Sequence, residues 1–171
     1  MEPQFSPLEP ADRFHLNAAS GWLGLGDIGS AKEELDQISI ARQGHPVVLM
    51  ARCQIFMGSR EWKSLIETTE VLLRDYPTLH EAWVDRSYAL HELRRTQEAF
   101  EALLPAVAMF PTVWVVPYNL ACYCAQTKRL AEALEWLQKA VEIAGERDVR
   151  AQALNDPDLK PIWNEIKFGV D

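Results

Sequence analysis

Apolar residues recur at helical spacing through most of the chain. Between His80 and Pro111, Trp83, Ser87 and Leu90 fall at i, i+4 and i+7 on one face, and Ala99, Leu103 and Ala106 fall likewise on a second. The polar turn at Arg94–Arg95 separates the two faces and Pro111 stops the second, so the stretch predicts a pair of amphipathic helices. Stepping 34 residues either way keeps the register without a gap and divides the chain into 12–45, 46–79, 80–113 and 114–147. Leu49, Cys53, Phe56 and Leu72 hold the pattern in the second segment, where Leu65 and Thr69 stand at positions that elsewhere carry small and large apolar residues. Leu120, Ala121, Ala133, Leu137 and Ala140 hold it in the fourth, against departures at Pro117, Cys124 and Gly145. Ala19, Trp22, Ala31 and Leu35 are what remains of it in the first.

This pattern resembles the tetratricopeptide repeat, a 34-residue helix pair with Trp, small-residue, Tyr, Ala, Phe and Pro landmarks. The third segment offers Trp83, Ser87, Leu90, Ala99, Leu103, Ala106 and Pro111 at those places, with Arg86 departing where a Leu is usual. The resemblance implies an all-α fold, a right-handed solenoid of antiparallel helix pairs. Residues 1–11, with three prolines, are expected to be a loose arm. Residues 148–171 are expected to supply a capping helix: Asp156 can cap, Pro157 suits a first turn, and Leu159, Ile162, Trp163 and Ile166 form an apolar stripe. DPDL before a short helix resembles the endings of many bacterial tetratricopeptide proteins. Pro105 should kink the second helix of the third repeat. Gly26 and Asp27 read as a helix stop and a helix start, not as part of a phosphate loop, because no strand precedes GLGDIG.

Such a fold implies a protein-binding scaffold whose concave groove is lined by the first helix of each repeat. Carried over residue by residue, the groove comprises Leu16, Ser20 and Leu23; Val47, Met50, Gln54 and Met57; Val84, Tyr88 and His91; and Val115, Tyr118, Cys122 and Gln126. It is mostly apolar, suited to a peptide or helix of a partner protein, and self-association through it is left open. The clamp that some tetratricopeptide domains use for acidic C-terminal peptides needs cations. The corresponding residues here are Leu16, Ser20, Ala51, Glu81 and Asp85, or Met50, Gln54, Asp85, Val115 and Asn119 in the neighbouring register. Arg52 and Arg86, both at a usually aliphatic position, are either an anion site or two structural ion pairs with carboxylates such as Asp85, Glu67 or Glu101.

Composition narrows this further. A formal charge of −8 argues against nucleic acid, and no apolar run reaches membrane-spanning length. Three cysteines, Cys53, Cys122 and Cys124, and the absence of a signal-like start fit a cytoplasmic setting and buried thiols. No metal or cofactor motif and no catalytic motif emerges, so the expectation is a non-enzymatic scaffold. A small secretion-type or assembly chaperone is the alternative, and an enzyme a distant third.

Overall fold

The computed structural model describes residues 7–145 and 148–168, and the described residues form helices and turns without a strand. In chain order the helices are α1 (Pro10–Gly24), α2 (Ile28–Gln37), α3 (Pro46–Ser59), α4 (Trp62–Asp75), α5 (His80–Glu92), α6 (Thr96–Leu103), α7 (Ala106–Met109), α8 (Val115–Gln126), α9 (Leu130–Ala144), α10 (Val149–Ala153) and α11 (Trp163–Phe168). Short 3-10 turns occupy Ile40–Arg42 and Pro157–Ile162. The chain divides into two compact units, residues 1–85 and 86–171, with α5 running through the boundary.

One helix stop is used four times. Gly26, Arg60, Arg94 and Lys128 have φ of 78°, 58°, 63° and 64°, the left-handed region, at intervals of 34 residues. At each, that residue's N–H donates to a carbonyl three residues back: Leu23, Met57, His91 and Ala125. The following N–H donates to a carbonyl five residues back: Trp22, Phe56, Leu90 and Cys124, at 2.8–2.9 Å. This is the Schellman arrangement, which satisfies orphan carbonyls and reverses the chain. Only the first copy uses glycine, so the other three carry the steric cost of a Cβ in left-handed backbone. Arg94→Gly should therefore raise stability by about 1 kcal/mol, seen as a higher urea midpoint with an unchanged slope. An unchanged midpoint would mean that the Arg94 side chain offsets its backbone cost.

In the first unit, α1 packs on α2 and α3, and α3 on α4. Small residues allow the close approach: Ala19 and Ala31 are fully buried beside Leu35, Ile38, Val48 and Ile55. Asp27 starts α2 by accepting from the Ser30 N–H at 3.0 Å. Asp12, buried near the start of α1, accepts from the Ser39 N–H and hydroxyl, both at 2.8 Å, and ties the two ends of the helix pair together. Thr69, a mismatch in the sequence pattern, is fully buried because its hydroxyl donates back to the carbonyls of Leu65 and Ile66 at 2.9 Å. The expected loose arm is shorter than residues 1–11. Leu8 is buried in the core and α1 already begins at Pro10, so apolar anchoring overrides the prolines; residues 1–6 lie outside the described residues.

In the second unit, α8 packs on α9 and α6. Pro105 does more than kink its helix: it separates α6 from α7, and both short pieces pack on α8. Pro117 fits because it lies in the first turn of α8, where its missing N–H would have had no partner within the helix. Gly145, with φ of 65°, closes α9. The single expected capping helix is replaced by three short pieces: α10, the 3-10 turn and α11. The turn is capped as expected, Asp156 accepting from the Asp158 N–H at 3.0 Å, and its Leu159 and Ile162 are fully buried.

Candidate functional site

Within the first unit the expected groove residues divide by burial. Ser20 and Gln54 are exposed, and Leu16, Leu23, Val47, Met50, Met57 and Val84 are half-buried. Leu16, Leu23 and Val47 pack partly against the core beneath α1 and α3, so much of their apolar surface is already used. Arg52 resolves toward the ion-pair alternative, with a partner the sequence did not suggest: its guanidinium donates to Asp36 at 3.0 Å and to the Gln43 amide oxygen at 2.6 Å. The Gln43 amide nitrogen in turn donates to the Leu35 and Ile38 carbonyls, so Arg52 braces the end of α2. Arg86 is half-buried and partnered.

The second unit departs more from expectation. His91, Tyr118 and Cys122 are buried, at 5%, 3% and 4% exposure, because the chain's own tail lies against them. Tyr118 donates its hydroxyl to Asp156 at 2.9 Å, Cys122 directs its thiol to the same oxygen at 3.7 Å, and Gln126 donates its amide to the Asp158 carbonyl at 2.7 Å. His91 bridges Thr96 at 3.0 Å and the Asp158 carboxylate at 3.2 Å, and its ring lies 5.2 Å from that of Tyr123. Tyr123, fully buried, shares a hydrogen bond with Ser87 at 3.0 Å. Tyr118, Cys122 and Gln126, spaced four apart along α8, are thus committed to an intramolecular partner. Val115, half-buried, begins the same helix.

The tail leaves a cavity of about 380 Å3 bordered by Tyr88, Glu92 and Asn119 on one side and Asp156 and Asp158 on the other. Tyr88 is 36% exposed there. Where the sequence suggests a mostly apolar groove, the cavity in this unit mixes polar and apolar lining, with three carboxylates at its border. Of these carboxylates, Glu92 falls at a first-helix groove position of the third repeat, whereas nothing in the sequence pattern pointed to Asp158. Asp156 was legible as a cap, but nothing local signals that a cap residue thirty-eight positions away also receives the Tyr118 hydroxyl.

Burial sets the protonation of this region. It pushes the Tyr118 hydroxyl and the Cys122 thiol well up, and the nearby Asp156 adds to both. Burial likewise raises Cys124 to about 11 and Cys53 to about 12. All three cysteines are free and buried. Among the described residues no group of His, Cys, Asp and Glu is arranged to hold a metal, and no helix is long and apolar enough to cross a membrane.

A tetratricopeptide-repeat family profile matches residues 118–147, which begin at the fourth residue of α8 and include α9. Solved structures match over most of the chain. MamA from Desulfovibrio magneticus RS-1, residues 41 to end, superposes with a TM-score of 0.72 at 17% identity over 94% of this chain and 93% of that one. The chain carries a tetratricopeptide repeat and has the fold of tetratricopeptide-repeat proteins. Pseudomonas aeruginosa PilF gives a TM-score of 0.74 at 22% identity, over 92% of this chain and 70% of that chain. A further MamA crystal structure gives 0.69 at 16% identity over 94% and 97%. No curated protein sequence matches significantly.

Proposed function

We propose that this chain is a non-enzymatic protein-interaction scaffold of four tetratricopeptide repeats, 12–45, 46–79, 80–113 and 114–147, with residues 148–171 as a capping region. The fourfold Schellman stop at 34-residue spacing supports that division. Each unit by itself offers a first-helix face to a peptide or helix. In the first unit this is the face of α1 and α3 bearing Ser20, Met50, Gln54 and Met57; in the second, the cavity beside Tyr88. The observation that carries the reading is this cavity: an exposed tyrosine, which combines large contact area with a polar tip, stands in a concave setting beside Glu92, Asp156 and Asp158. Methionines at Met50 and Met57 suit an irregular apolar partner surface.

A catalytic reading has less to stand on, because a nucleophilic thiol needs a depressed pKa and burial raises all three. The test is site-specific photo-cross-linking. A benzophenone amino acid placed at Tyr88 should capture a partner protein, and placed at exposed Glu101 on α6 should not. With that protein purified, Tyr88→Ala should weaken binding about tenfold or more at unchanged melting temperature. Capture from Glu101 as readily as from Tyr88, or full affinity in Tyr88→Ala, would remove the cavity from the binding surface.

A further inference from the structure

Helix α9 is apolar on two faces. Ala133, Leu137 and Ala140 form the buried one. Ala131, Leu134 and Val141 lie on the other, at i, i+3 and i+10, and with Ile166 of α11 they line a cavity of about 610 Å3. Two acidic side chains, Glu135 and Glu165, line the same cavity. Glu165 is the unusual one: its Oε2 is buried and meets no hydrogen-bond donor. A buried oxygen without a donor on a group able to carry charge is costly, and such groups are normally matched. The one cation in the lining, Arg150, donates to the amide oxygen of Gln138, another lining residue, at 3.2 Å and leaves Oε2 of Glu165 without a donor.

We infer that the cavity between α9 and α11 docks an amphipathic helix of a partner protein that places one Lys or Arg, flanked by apolar side chains, against Glu165. The span from Ala131 to Val141 is about 15 Å, enough for roughly three turns of a partner helix. Helix-in-groove recognition has this form, with apolar anchors supplying contact area and one charge fixing register. Charge complementarity selects the occupant: the cavity offers an apolar floor, an orphaned carboxylate oxygen and a second carboxylate, so a wholly apolar or acidic helix would leave Oε2 unmatched, and a cation matches its charge as well as its hydrogen bond. This surface is separate from the Tyr88 cavity, and neither depends on the other.

The probe is a synthetic Leu/Ala helix of about three turns with one central Arg, compared by isothermal titration calorimetry with the same peptide carrying Gln there. The Arg peptide should bind about tenfold more tightly or better, as a charge-assisted hydrogen bond provides. Glu165→Gln should abolish that preference, while Glu132→Gln, the same charge change at an exposed site on α9, should keep it. Leu134→Asp should remove binding of both peptides. Melting temperatures at or above that of the unaltered chain in Glu165→Gln would exclude misfolding. No binding of the Arg peptide, equal losses in Glu165→Gln and Glu132→Gln, or a preference that survives Glu165→Gln would overturn the proposal. So would a dimer in sedimentation that Leu134→Asp dissolves, since the face would then belong to a second copy.

Discussion

Deleting residues 156–171 should destabilise the protein by several kcal/mol and expose an apolar surface that binds the dye ANS. The argument starts from two side chains. Leu159 and Ile162 are fully buried against α8 and α9, and each such burial contributes about 1.5–3 kcal/mol. Truncation also uncovers Tyr118 and Cys122 and strips His91 and Gln126 of a hydrogen-bond partner. Point variants divide the effect. Leu159→Ala should cost about 2–5 kcal/mol as a core cavity. Asp156→Ala should cost about 1–3 kcal/mol, because the buried Tyr118 hydroxyl loses its acceptor. Urea denaturation measures all three. A truncated chain with the full-length midpoint would show that the tail is an ornament on the last repeat.

Stability should also fall as pH rises from about 4 to about 7, and Asp85 is the group responsible. Its half-buried carboxyl is pushed up to about 7, first by burial and then by the carboxylate of Glu81. In the unfolded chain the same group ionises near its ordinary value of 3.8. Between those values the folded state holds a proton that the unfolded state has released, so each step up in pH favours unfolding. The effect is complete above about 7 and amounts to at most about 4 kcal/mol, taking 1.36 kcal/mol per pH unit. Asp12, Asp27, Asp75 and Glu98 are shifted down by hydrogen bonds to their carboxylates, and their contribution is lost only as pH falls below the ordinary carboxylate range. The two windows are therefore separate. Asp85→Asn should match the unaltered chain near pH 4 and exceed its stability at pH 8. Parallel stability curves from pH 4 to 8 would show that Asp85 ionises normally.

How much was legible beforehand differs between fold and site. Helix pairs, the 34-residue period, the cap at Asp156 and the break at Pro105 are local: each depends on side chains within a few turns of one another. The Leu65 and Thr69 departures were tolerated for reasons that are also local, Thr69 being satisfied by its own helix. The site was less legible, because its partners are distant in sequence. Arg52 is matched by Asp36 and Gln43, and neither lies among the carboxylates nearest in the repeat pattern. Groove positions carried over from the family placed Tyr118, Cys122 and Gln126 in one row on α8, and that row is bonded to the chain's own Asp156 and Asp158.

The sequence by itself determined the helix pairs, their period and the turns within each pair, since periodic burial and backbone hydrogen bonding are short-range demands. Tertiary structure alone decided which faces stay open. It brought Asp156 and Asp158 onto α8, left Tyr88 in a cavity and buried an oxygen of Glu165 without a donor. Burial and charge pairing between remote segments depend on packing in three dimensions, which no spacing along the chain encodes.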